Sequence, residues 1–373
     1  MRIERLEIIP VARYLFVQIH TDAGISGLGE AGMWGYLDAN AAVIKAWESY
    51  LIGKDPLRIE HHWQYLSRNA HFRGASVTGA LGAIDTALWD IAGKHYGAPV
   101  YQLLGGKVRD RVRVQTQIDA PTVDEVVANA RREVGRGITA LRFTPFAPDF
   151  ASMRHDAIIK EAVARVGAVR EAVGSGVDIG VEIHRRLSPA AAIALAAELE
   201  QFRLMYYEDP ILPDSVQSCA EVARSTRLPV ATGERLHSLI EFRELLACGG
   251  AHYLRVDPCL AGGLTSAKKI AALAESYHAE VMPHGVLSPV ATAISVQLDA
   301  CIPNFAVQDY LGDDRPPKND LLVENLRLEN GYLVVPERPG IGVELKPGIA
   351  EKYPFTPRTI ETTLHEDGSV ADR

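Results

Sequence analysis

Over residues 2–20 apolar and polar side chains alternate, the period of a half-buried strand. Two runs of turn-forming residues follow, Asp22-Ala23-Gly24 and Ser26-Gly27-Leu28-Gly29, and they predict a reversal and an antiparallel hairpin. Over 77–104 the period changes. Ala80, Ile84, Ala87, Leu88, Ile91 and Ala92 fall at helical spacing, with Asp85, Asp90 and Lys94 on other faces, which predicts an amphipathic helix in a segment that Gly105-Gly106 ends.

From Arg111 to Asp309 one unit recurs: a short apolar run, a loop, then an alanine-rich helix. The apolar runs are 113–118, 140–143, 177–181, 204–207, 228–231, 253–256, 280–282 and 305–307. Eight strands alternating with helices predict an α/β fold, a TIM-type (β/α) barrel in which right-handed crossovers put every strand's C-terminal end on one face. The expected division is an α+β capping domain over 1–110, the barrel over 111–320, and a segment over 321–373 that returns to complete the cap. A length of 373 residues suits such a two-part enzyme.

Composition narrows the partners. With 47% hydrophobic and 23% charged residues the chain has the makings of a large core. The formal charge of -8 is spread without a basic block, so neither nucleic acid nor an anionic membrane is an expected partner. The four cysteines, Cys219, Cys248, Cys259 and Cys301, are too few and too irregular for a disulfide framework or a CxxC metal site. The N-terminal residues lack the basic-then-apolar signature of a secretory signal, and no apolar run is long enough to span a bilayer. A cytoplasmic location is the default expectation.

Chemistry enters at the strand ends. Glu182 follows Ile179-Gly180-Val181, Glu208 follows Tyr206-Tyr207, and Glu234 follows Val230-Ala231-Thr232-Gly233. Asp257, His284 and Asp309 continue the series, at intervals of 26, 26, 23, 27 and 25 residues from Glu182 onward. Each interval is about one strand-helix unit, so all six groups converge on the barrel mouth. Any one of them alone reads as a solvated loop residue; the register does not.

Three carboxylates crowded in a cleft repel one another unless a cation neutralises them. All-oxygen ligation by Glu182, Glu208 and Glu234 suits magnesium, or manganese, better than zinc. A carboxylate such as Asp257 on one nitrogen of His284 makes the other nitrogen a general base. His184, two residues past Glu182, points to the same side if the segment is extended, and reads as aimed into the site or as a surface loop histidine. His237, three residues past Glu234, reads as a loop residue or a substrate contact.

These residues resemble the enolase superfamily, in its mandelate racemase branch. The resemblance covers nearly the whole chain, through Thr21-Asp22-Ala23-Gly24-Ile25-Ser26-Gly27-Leu28-Gly29-Glu30 and Ala83-Ile84-Asp85-Thr86-Ala87-Leu88-Trp89-Asp90-Ile91-Ala92-Gly93-Lys94. Gly233-Glu234-Arg235, Ala261-Gly262-Gly263-Leu264-Thr265, Pro283-His284 and the tail from His365 to Ala371 are similar to its galactonate dehydratase subgroup. The resemblance implies that Glu182, Glu208 and Glu234 bind magnesium, that Asp257 and His284 abstract a proton, and that His184 protonates a departing hydroxyl. It implies a small acid sugar as substrate and assembly into dimers or octamers.

Three positions depart from the family pattern. Glu182 replaces the usual aspartate, Asp309 the glutamate that hydrogen-bonds the enolising carboxylate, and Arg185, which narrows the pocket or contacts substrate, a glycine. Where relatives carry a Lys-x-Lys base this chain reads Arg142-Phe143-Thr144. A guanidinium stays protonated and a threonine is no base. Arg142 therefore holds the substrate carboxylate or is a salt-bridged barrel residue, and Thr144 lies beside it.

The expected reaction is dehydration of a sugar acid: removal of the C2 proton, then loss of the C3 hydroxyl to give a 2-keto-3-deoxy acid. An epimerase or cycloisomerase of the same superfamily and a non-catalytic sugar-acid-binding protein are the rivals. The distal part of the substrate is expected to meet cap loops near Trp34 and Arg73.

Overall fold

The alternating N-terminal stretch forms two strands. In this computed structural model, which describes residues 1–69, 71–360 and 362–371, β1 (Ile3–Val11) and β2 (Tyr14–Thr21) pair antiparallel around a tight turn where Ala12 has φ 50°. β3 (Ser26–Glu30) then adds antiparallel to β2. The Ser26-Gly27-Leu28-Gly29 run, expected as a turn, is therefore strand. Its glycines allow close approach: a Cβ on Gly27 would lie 2.0 Å from Ala87 O, and one on Gly29 1.9 Å from Ala83 O. The helix Ala75–Tyr96 lies on the sheet only because those side chains are missing.

That helix is buried on nearly all sides, where an amphipathic one was expected. Asp85 and Asp90 are buried in it and accept backbone N–H groups from other elements. Asp90 receives Leu28 at 2.9 Å and Ile341 at 2.8 Å, and Asp85 receives Thr265 at 3.0 Å. The carboxylates thus tie the cap to the barrel and to the C-terminal segment. The helix stops at Tyr96, where Gly97 supplies a left-handed cap at φ 65°, well before Gly105-Gly106.

The barrel strands follow: β4 (Arg111–Gln117), β5 (Ala140–Phe143), β6 (Asp178–Glu182), β7 (Tyr206–Glu208), β8 (Val230–Thr232), β9 (Tyr253–Leu254), β10 (Glu280–Val281) and β11 (Gln308–Asp309). β4 to β10 pair in chain order, each parallel to the next. β11 returns parallel to β4, and Val281 bridges Phe305, so the ring closes. The last strand falls just after its expected run, because 305–307 contributes only that bridge.

The C-terminal segment has three destinations. Tyr332–Val334 pairs antiparallel with the N-terminal half of β4, Arg111 to Arg113. Tyr353 and Thr356 then bond to the backbone of Ala12 in the cap, at 2.9 and 2.5 Å. The tail beyond Pro357 crosses the barrel mouth, where Thr363–Leu364 and Val370–Ala371 form a small hairpin. Among the described residues no helix is long and apolar enough to cross a membrane.

Candidate active site

Parallel pairing fixes the site, because β6 and β7 align Glu182 directly with Glu208. Both carboxylates end their strands on the same side of the ring. Glu234 stands just past β8, and one oxygen from each of the three lies within 4.8 Å of the others. Asp257 and His284 follow β9 and β10, and Asp309 ends β11. The six residues in register are thus brought to one end of the barrel, and a cavity of about 590 Å³ opens there. Glu182, Glu234, His284, His184, Arg142, Arg185, Thr144 and Trp34 line it.

His284 sits between two carboxylates. Its Nδ1 is 2.9 Å from Asp257 Oδ2 and its Nε2 is 3.3 Å from Glu234 Oε2. Asp257 is itself oriented, since its other oxygen accepts the N–H groups of Cys259 at 2.9 Å and Leu260 at 3.3 Å. Burial disfavours the imidazolium, but the Glu234 and Asp257 carboxylates outweigh burial and raise the His284 pKa. The same partnership, with burial opposing it and His284 and Arg185 prevailing, holds Glu234 below the usual carboxylate range.

Three guanidiniums thread the carboxylates together. Arg142 Nη1 donates to Glu182 Oε2 and Glu208 Oε1, each at 3.2 Å. This is the salt-bridged placement, with the side chain committed to the glutamates. Arg185 Nη1 donates to Asp209 Oδ2 at 2.9 Å and to Glu234 Oε1. Arg255, fully buried, donates to Glu208 Oε1 at 2.5 Å and to Asp309 Oδ2.

Asp309 also receives Gln115 at 2.7 Å and the Gly285 N–H at 3.1 Å. Its oxygens face this polar layer, and it is not among the residues lining the cavity. Arg255 and Asp209 were not singled out from sequence. A signal existed: Arg255 interrupts an apolar run two positions before Asp257, which in an extended strand puts both on one side.

His184 reaches the cavity with its backbone N–H on Glu182 Oε1 at 2.9 Å. Its Nε2 accepts from Arg185 Nη2 at 2.7 Å. Burial first, then the Arg185 charge, pushes its pKa down to about 3. Both residues have positive φ, 56° and 67°, so glycine would sit at 185 with less strain. Thr144 donates its N–H to Asp119 at 2.6 Å at the cavity edge. Arg73 is exposed and His237 bonds back to Glu241 through its backbone N–H at 3.1 Å. Neither lines the cavity: Arg73 is on an exposed loop, and His237 precedes Ser238, the N-cap of the helix Leu239–Ala247.

The donor set fits a hard cation. Glu182, Glu208, Glu234, Asp209, Asp257 and Asp309 make six carboxylates against the three guanidiniums of Arg142, Arg185 and Arg255. Burial, then repulsion from Glu208 and Glu234, pushes Glu182 well above its ordinary pKa, a repulsion that a bound cation would relieve. The glutamate triad could hold a divalent metal through oxygen alone.

The family comparisons agree with this architecture. The model for the mandelate racemase/muconate lactonizing enzyme N-terminal domain matches residues 7–105, and that for the enolase C-terminal domain-like family matches 125–349. D-galactonate dehydratase of Verminephrobacter eiseniae (strain EF01-2) is 36% identical over 369 residues, 96% of each chain. That of Variovorax paradoxus (strain S110) is 36% identical across 100% of both chains. The crystal structure of an enolase from Agrobacterium radiobacter, bound to sodium and L-malate, superposes with TM-score 0.95 at 29% identity over 100% of both chains. A member of the enolase superfamily from Salmonella Typhimurium gives 0.90 at 30% identity, covering 95% of this chain and 98% of that one. The chain is an enzyme of the enolase superfamily, built from a mandelate racemase/muconate lactonizing enzyme cap and an enolase-type barrel.

Proposed function

We propose that this enzyme is a magnesium-dependent sugar-acid dehydratase, a hydro-lyase acting like its galactonate dehydratase relatives. The observation that carries the reading is the Asp257–His284 pair, whose second nitrogen faces Glu234 at the open end of the barrel. Glu182, Glu208 and Glu234 would hold the ion, and a divalent cation there supplies the positive charge that makes a bound carboxylate an electron sink.

The chain's own residues do the rest. His284 Nε2 takes the C2 proton, and Asp257 fixes the tautomer that leaves this nitrogen basic. Arg142 bridges Glu182 and Glu208 and offsets their mutual repulsion. His184 would protonate the departing C3 hydroxyl, which requires Arg185 to give up its hydrogen bond to His184 Nε2 and the ring, held neutral by burial and the Arg185 charge, first to take up a proton at that nitrogen. The enol then tautomerises to the 2-keto-3-deoxy acid. With Arg142 and Thr144 in place of a second base, abstraction from one face followed by elimination fits better than racemisation.

The test is a panel of acid sugars with magnesium, scored for 2-keto acid. His284→Asn is expected to lower turnover by about 100-fold or more, with His184→Asn also impaired. Variants that both match wild type on the true substrate would overturn the assignment of roles.

A further inference from the structure

The cavity wall holds a buried charge that the chemistry above leaves unused. Lys318 lines the cavity yet is only 5% exposed. It sits in the short turn Lys318–Asp320 that follows β11, and Leu311, two residues past Asp309, lines the same wall. A lysine is almost never buried to this degree without a partner.

Its ammonium is pinned. Nζ donates to Asp313 Oδ1 at 2.9 Å and to Leu311 O at 3.1 Å. Asp313 is held in turn, because its other oxygen accepts from Thr292 Oγ1 at 2.5 Å, on the helix Pro289–Cys301. Lys318, Asp313 and Thr292 are all buried. An ammonium carries three N–H donors, so one is left without a partner among the described residues. The flexible stem of a lysine ordinarily loses rotamer freedom when its end is engaged, and here that loss belongs to folding, so the spare donor is pre-organised for a ligand.

Two open spaces meet at this residue. A second hollow of about 390 Å³ shares Arg13, Gln117, Asp119, Leu311 and Lys318 with the catalytic cavity. A ligand that covers a buried donor without accepting from it incurs the cost of an unmet hydrogen bond, so a ligand seated against Lys318 must bring an oxygen. The kind of oxygen follows from Asp313. Its carboxylate already matches the ammonium charge, and a second carboxylate there would stand beside the first, whereas a hydroxyl takes the hydrogen bond without repulsion.

We propose that Lys318 is a substrate-binding residue that determines specificity, its third N–H donating to a hydroxyl of the acid sugar beyond C3. The inference rests on the sugar-acid reading of the site for its ligand class and on no particular order of chemical steps.

The experiment is calorimetric binding with magnesium present. The long ligand is whichever of galactonate, gluconate, galactarate and glucarate binds wild type most tightly, and the short one is glycerate, which has hydroxyls at C2 and C3 only and is read by displacement. Lys318→Met weakens the long ligand about tenfold or more and leaves glycerate within about twofold. Because that change strands the Asp313 charge, the double variant Lys318→Met with Asp313→Asn removes the buried pair together and keeps an oxygen for Thr292, and it shows the same selective loss. Thermal unfolding checks that both variants fold. An unchanged long ligand, or an equal loss for glycerate, overturns the role of Lys318 and leaves the sugar-acid reading standing. Failure of wild type to bind any of the four long acids overturns that reading, and this inference with it.

Discussion

Replacing Arg185 with glycine is expected to tighten divalent-ion binding while weakening the ion-free protein. The guanidinium donates to Glu234 Oε1 and to Asp209 Oδ2, so an ion that claims Glu234 must displace a charge-assisted hydrogen bond or settle beside a fixed positive charge. Losing such a hydrogen bond costs ~1.5–3 kcal/mol. Coulomb repulsion between a doubly charged ion and a guanidinium ~5 Å away, at an effective dielectric of ~20, is larger still, at roughly 7 kcal/mol. The hydrogen-bond figure is the conservative one, and it converts to about 10- to 100-fold in Kd.

Glycine also suits the backbone, since Arg185 has φ 67°. Yet the substitution removes one of the guanidiniums that offset six clustered carboxylates, five of them buried, so Tm without the ion should fall and saturating magnesium should restore it. Calorimetric titration with magnesium and manganese, paired with thermal unfolding, reads both effects. A variant that binds the ion no better than wild type would refute the view that Arg185 competes for Glu234.

Ion binding should also move the His284 titration, because the Glu234 charge that raises its pKa is taken up by the ion. NMR of the imidazole should show its pKa falling on addition of magnesium, with the neutral, basic ring present at lower pH; no change would contradict the shared role of Glu234. Burial pushes Asp85 from its ordinary 3.8 up to about 7. The folded protein thus holds a proton that the unfolded chain releases, so this contribution to stability is full below pH ~3.8 and is lost as pH rises through ~7, a span of at most ~4 kcal/mol. Asp85→Asn should lose less stability than wild type over that range; parallel unfolding curves would count against it. Gly29→Ala would drive a methyl group into Ala83 O, and urea unfolding should show a loss of ~3 kcal/mol.

The site's outline was legible because barrel geometry is written locally. Each strand-helix unit repeats, so the residue that ends each strand can be found by counting, and Glu182, Glu208, Glu234, Asp257 and His284 all lie where that count puts them. Charge pairing was not legible, because it depends on distant chain. Arg255 meets Glu208 across 47 residues and Asp309 across 54, and in sequence it is one cation within an apolar run. The same distance hid the turning of Asp309 into the polar layer and the commitment of Arg142 to two glutamates.

Gly27 and Gly29 misled for a different reason. Glycine marks both reversals and close contacts, and only the helix packed on β3 decides between them. The tail offered no periodicity to place it. Its mostly exposed residues carry no apolar pattern, yet Arg358, Thr359 and Ile360 reach the cavity.

The most direct measurement is the anomalous difference map of crystals grown with manganese. One peak is expected at the C-terminal mouth of the barrel, bonded to oxygens of Glu182, Glu208 and Glu234, with His284 Nε2 turned toward the same space. A map without that peak, or with manganese bound to other residues while Arg142 and Arg185 keep the glutamates, would contradict the account.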